Sequence, residues 1–129
     1  MYYIADSHSL IWHLTEDKKL GRKALEIFTK ADNGEIIIIV PTIVLAEIIH
    51  ICEKKKAKLE IKEIIHKIKT SLNYIPYSLN MEVLDKTIAL KDVSEIHDKI
   101  IIATATITGA ILITKDKEIT NSKIVKTIW

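Results

Sequence analysis

"IHDKIIIATATITGAILITKDKEI", residues 96–119, changes its hydrophobic rhythm halfway along. Up to Thr108 the apolar and small residues follow a helical spacing. Gly109 then offers a left-handed stop, and AILIT over 110–114 reads as a short apolar strand. A helix that turns at glycine straight into a buried strand is the repeating unit of α/β folds with a mainly parallel sheet. Here the unit also carries an acid at each end, Asp98 and Asp116.

The rest of the chain keeps the same alternation. Strands are expected near 2–5 (YYIA), 36–40 (IIIIV), 74–77 (YIPY), 110–114 and 123–128 (KIVKTI), with helices near 8–15, 20–31, 42–56, 59–72, 80–91 and 95–108. The second strand is apolar at every position, as a strand covered on both faces should be. Asn80 is placed to cap the helix beginning MEVLDK, and Ser94 the helix whose first turn holds Glu95 and Asp98. Pro41 closes the second strand, and Thr42 is placed to cap the helix after it.

Bulk properties narrow the class. At 129 residues the chain reads as one domain, 1–129, with three Gly, two Pro and no stretch resembling a linker. Lysine supplies nearly all the positive charge, Arg22 is the sole arginine and glutamine is absent; this fits a thermophile, or equally an AT-rich genome. A net charge of +2 is too small to announce nucleic-acid binding, so any such site must be local. The lone Cys52 excludes an intrachain disulfide. The N-terminus lacks the basic region of an export signal, and EIIIIV is far too short to span a bilayer, so a cytoplasmic protein without a membrane segment is expected.

Four carboxylates stand where apolar elements meet their ends. Asp6 follows the first strand directly and Asp116 follows the fourth after one residue, which puts both at the carboxyl edge of the sheet, where parallel α/β folds bind ligands. Glu47 interrupts the apolar helix PTIVLAEIIHI, and Asp98 sits one turn into its helix beside Ile101, Ile102 and Ala105 at helical spacing. Taken singly, Asp6 and Asp98 could simply favour helix starts, Asp116 could be a turn residue and Glu47 could be salt-bridged. Gathered together, they would repel one another unless a divalent cation neutralised them, and an all-oxygen set suits Mg²⁺ or Mn²⁺. The five histidines show no zinc-like spacing.

In order and approximate spacing, Asp6 in ADSHSLIW, Glu47 in LAEI, Asp98 in HDKIIIATA and Asp116 in TKDKEI resemble the four acidic motifs of the PIN domain. The resemblance covers essentially the whole chain and is greatest to the VapC toxins of type II toxin–antitoxin pairs. It implies an α/β/α sandwich around a five-stranded parallel sheet of order 3-2-1-4-5. It also implies an Mg²⁺- or Mn²⁺-dependent endoribonuclease using one or two ions, held by Asp6, Glu47, Asp98 and Asp116, with Ser7 and Thr114 as supporting hydroxyls. Glu118 would be peripheral. An RNA substrate, an antitoxin partner and a homodimer follow from the same resemblance, with the C-terminal IVKTIW as one candidate contact. Lys99 stands where many toxins carry Arg; with Lys115, Lys54 and Lys55 it is a candidate phosphate contact, although Lys54–Lys56 also suit a solvated helix end.

Other readings fit less well. A dehalogenase-type phosphotransferase wants Asp-x-Asp after the first strand, where this chain has His8, and neither the paired acids of a phospho-receiver nor a Gly-rich phosphate loop is present. A PIN nuclease of RNA maturation or decay, and a non-catalytic PIN-like binding module, remain as alternatives to a toxin.

Overall fold

The computed structural model describes residues 1–55 and 59–129. Strand β1 (Tyr2–Ala5) leads into helices α1 (Ser7–Leu14) and α2 (Arg22–Asp32). Then come β2 (Ile37–Pro41), α3 (Thr42–Lys55), α4 (Ile61–Thr70), β3 (Tyr74–Tyr77), α5 (Met81–Ile88), α6 (Ile96–Thr108), β4 (Ile111–Ile113), α7 (Lys117–Ser122) and β5 (Thr127–Ile128). The five strands form one sheet of order β3-β2-β1-β4-β5, and every pairing is parallel. This is the α/β architecture and strand order that the acidic motifs imply.

Local chemistry explains most of the boundaries. Ile38, Ile39 and Val40 are consecutive and all buried, which requires cover on both faces of the sheet. Pro76 sits in β3 at the sheet's edge, where a missing N–H is tolerated. Gly109 ends α6 in the left-handed region at φ 67°, as the opening motif predicts. The Asn80 side chain accepts the Val83 N–H and caps α5. Ile101, Ile102 and Ala105 are buried and press α6 into the main core, while Ile100 and Ala103 pack with Val83 of α5 in a second, smaller cluster.

Three local expectations are corrected. Glu95, not Ser94, caps α6 by accepting the Asp98 N–H, because Ser94 is engaged by the distant Glu118 through its N–H and its hydroxyl. Thr42 is the first residue of α3 itself, and its hydroxyl accepts the Leu79 N–H across the fold instead of capping. The segment expected as one strand over 123–128 begins later, because an unanticipated helix, α7, runs to Ser122 and closes on Lys123 at φ 56°. That leaves β5 only Thr127 and Ile128.

Successive connections carry the chain from β1 outward through β2 to β3, then back across to β4 on the other side of β1. Strand order therefore reverses between β1 and β4, and a crevice opens at their carboxyl ends. The Asp6 N–H donating to the Ile113 carbonyl at 3.4 Å marks how close those two ends are.

Candidate active site

Four elements deliver the acids to this crevice. Asp6 follows β1 and caps α1, its Oδ1 accepting the Ser9 N–H at 2.9 Å. Asp116 repeats the arrangement after β4, its Oδ1 accepting the Ile119 N–H at 2.9 Å as the cap of α7. Capping and clustering are thus compatible: in each residue one oxygen serves the helix, and the carboxylate keeps its second oxygen for the crevice. Glu47 reaches in from α3 and Asp98 from the first turn of α6. Together with Ser7, His8, Trp12, Glu95, Ile101 and Lys115 they line a cleft of about 450 Å³.

The two small hydroxyls are both engaged. Ser7, buried, donates to Glu47 Oε1 at 2.8 Å, which holds the one acid that comes from α3. Thr114, also buried, accepts the Asp116 N–H at 3.1 Å and shapes the turn that presents that carboxylate.

Asp98 feels the cluster most strongly. Partial burial, followed by the charges of Asp116, Glu95, Glu47 and Asp6, pushes its carboxyl up to about 6. Its side chain accepts no hydrogen bond from the described residues, and its own N–H is turned to Glu95. Glu95 is the acid that the motif reading missed as part of the cleft. Burial would raise its pKa, yet the N–H groups of His97 and Asp98 and the His97 ring, 2.8 Å away, outweigh burial and lower it. His97 flanks the cleft and stands 4.0 Å from Glu47 Oε2.

Among the described residues, no three acidic, histidine or cysteine side chains sit close enough to make a closed metal-ligand set. The cleft is an open bowl of carboxylate oxygens whose mutual repulsion is visible at Asp98. That donor set fits Mg²⁺, which usually keeps several waters and takes one or two carboxylates together with a substrate's phosphate oxygens.

The lysines divide. Lys115 lines the cleft, and its ammonium lies 4.8 Å from the centre of the Trp12 ring. Lys99, half-buried on α6, is not among the lining residues, and Lys54 is exposed near the end of α3, two turns beyond Glu47. The Lys55 side chain, and Lys56 and Lys58, lie outside what is described. Trp12 and His8 were also missed. The available signal was their spacing, i and i+4 on the helix that Asp6 starts, which puts them on one face.

The PIN domain family model matches residues 3–123. No curated protein matches the chain. Among solved structures, it resembles VapBC2 from Rickettsia felis bound to a DNA fragment from their promoter, with TM-score 0.74 and 17% identity over 100% of this chain and 99% of that one. A toxin–antitoxin complex from Klebsiella pneumoniae is similar at TM-score 0.71 and 16% identity, covering 98% and 96% of the two chains. PAE2754 from Pyrobaculum aerophilum gives TM-score 0.57 and 15% identity over 98% and 92%. At these identities the likeness is one of fold.

Proposed function

This chain belongs to the PIN domain family, and we propose that residues 1–129 form a single metal-dependent endoribonuclease domain, the toxin of a VapBC-type pair. PIN domains are nucleases, which supports hydrolysis of a phosphodiester. The observation that carries the reading is the convergence of Asp6, Glu47, Asp98 and Asp116 on one cleft, with Asp98 pushed up to about 6 by burial and its acidic neighbours.

In this proposal Asp6, Asp98 and Asp116 would hold one or two Mg²⁺ or Mn²⁺ ions. A bound ion supplies charge neutralisation at the phosphate and a water of lowered pKa. Glu47, steadied by Ser7, holds the attacking water or shares in binding the ion. The products are a 5′-phosphate and a 3′-hydroxyl. Lys115 is the best-placed phosphate contact; Lys99 and Lys54 would serve only a longer substrate.

The partners follow from the same reading. Two of the similar folds were solved as toxin–antitoxin assemblies, which supports an antitoxin that covers the cleft. A homodimer is supported less by the C-terminus, since Trp129 packs edge-on against Trp12 of its own chain, than by exposed apolar side chains along α5 and the start of α6. These are Met81, Leu84, Ile88 and Ile96. Among the described residues no helix is long and apolar enough to cross a membrane, and an RNA-cleaving toxin would work in the cytoplasm.

The test is cleavage of structured and single-stranded RNA with Mg²⁺ or Mn²⁺, against EDTA and Asp6→Asn controls. Metal-dependent cleavage lost in both controls is expected. Cleavage that survives Asp6→Asn would overturn the assignment. An adjacent small antitoxin gene separates the toxin from an RNA-maturation nuclease.

A further inference from the structure

The acidic cleft has an aromatic wall that the acids themselves do not require. Trp12 lines it from α1 and also lines the neighbouring depression of about 780 Å³, so its indole is the ridge between the two. The ring is braced by a second tryptophan. Trp129 meets it edge-on at 5.8 Å and 69°, and Trp129 is itself pressed so tightly onto Gly21 that any Cβ there would come within 2.6 Å of the Trp129 backbone and ring. Bracing of this kind fixes an aromatic plane in advance of any ligand.

Two ammonium groups also lie over the ring. Lys115 Nζ lies 4.8 Å and Lys19 Nζ 5.6 Å from the ring centroid, and the Lys19 side chain is itself 65% exposed. Exposed lysine ends leave the partly exposed ring accessible, because such side chains can swing away at little cost. His8, exposed, extends the aromatic surface at 5.6 Å. Lys115 is adjacent in sequence to Asp116, yet its ammonium turns to the indole, which leaves it available to an incoming phosphate.

An aromatic plane with cations on its rim, next to a cleft for phosphodiester chemistry, is how single strands are held: base on ring, phosphate on lysine. We infer that Trp12 is a stacking platform for one unpaired nucleobase of a single-stranded RNA, with Lys115 and Lys19 taking the adjoining phosphates. The inference rests on the nuclease reading for its substrate but makes a separate claim about binding. A base engaged this way must be out of a duplex, so the platform selects single strands, loops or ends, and does so with little preference among bases.

The experiment measures binding in an Asp98→Asn background with Mg²⁺, where cleavage is slowed enough for binding to be read first. Its probes are a fluorescently labelled single-stranded RNA 12-mer, the same oligomer made abasic throughout, and its duplex. Adding Trp12→Ala should weaken binding of the single strand about 5- to 150-fold, the effect of one lost stacking contact, and leave the abasic oligomer unaffected. Trp12→Phe should keep most of the affinity. Should Trp12→Ala not fold, the parent protein still decides: the base-bearing strand should bind more tightly than the abasic one and the duplex, and it should quench tryptophan fluorescence. Equal binding of the base-bearing and abasic strands, or equal binding with and without the Trp12→Ala substitution, overturns the platform. The two readings fail separately. Trp12-dependent binding by a wild-type chain that cleaves nothing would keep the platform and sink the nuclease, whereas cleavage with KM unchanged by Trp12→Ala would do the reverse.

Discussion

The two ends of the sheet treat their carboxylates in opposite ways. At the amino end, Asp32 closes α2 and is surrounded by donors: His13 Nε2 at 2.9 Å, the hydroxyl of buried Tyr74, and Lys67 Nζ at 3.8 Å, which also lies over the Tyr74 ring. His13 in turn stacks on buried Phe28, with ring centroids 4.5 Å apart. At the carboxyl end, Asp98 has four acids for neighbours and its side chain has no donor among the described residues. Burial and the Asp32 contact raise the Tyr74 hydroxyl far above its ordinary range, because losing that proton would set two anions together; burial and acidic neighbours raise Asp98 because they already do. One acid ties α1, α2, α4 and β3 together. The other set sits under mutual repulsion, the electrostatic pattern that gathers at functional sites.

This contrast can be broken by experiment. The largest effect is expected at the carboxyl end, on activity: Asp98→Asn should lower kcat by roughly 10²–10³-fold, about 3–4 kcal/mol, with the fold intact by circular dichroism. Next, Mg²⁺ or Mn²⁺ at a hundredfold excess over its dissociation constant should stabilise the wild-type chain by about 2.7 kcal/mol, or ~10 °C in Tm. Asp98→Asn should remove much of that gain. A wild-type melt indifferent to both ions would dissolve the contrast.

At the amino end the order reverses. Tyr74→Phe removes a buried donor to a charged acceptor and should destabilise by about 2 kcal/mol, or ~7 °C, while cleavage per folded molecule is unchanged. A loss of activity without a loss of stability would show that this end, too, serves function.

The smallest effect is the most diagnostic. Without metal at neutral pH, Asp98→Asn should stabilise the chain by on the order of 1 kcal/mol, because solvent screens the repulsion at a half-exposed group. The sign follows from proton binding. The folded state holds the Asp98 proton up to about 6 whereas the unfolded chain releases it near 3.8, so wild-type stability falls as pH rises through that window. Wild type and Asp98→Asn should therefore melt alike below the lower value and separate above the upper one. A gap that does not change with pH would mean that Asp98 is not strained by its neighbours.

Legibility in the sequence follows the same divide between local and distant causes. Strand IIIIV, the Gly109 stop and the Asn80 cap were readable because each rests on a neighbour within a few residues. The motif order of Asp6, Glu47, Asp98 and Asp116 carried the strand order with it, through resemblance. Helix α7 escaped notice because KEITNS is short and polar; it forms because Asp116 caps it and Ile119 finds the core. Glu95 was visible as a helix-start acid, but its place in the cleft depends on how α6 packs against α3 and β4.

The sequence alone determined the alternation of elements and the types of side chain at their ends, since hydrophobic period and end chemistry are properties of short segments. Only the tertiary structure decided which of those ends meet. Ser7 finds Glu47 forty residues away, Ser94 turns from its own helix to Glu118, and Trp12 is braced by the last residue of the chain. Such contacts are fixed by packing between elements distant in sequence, and no window of the sequence contains both partners.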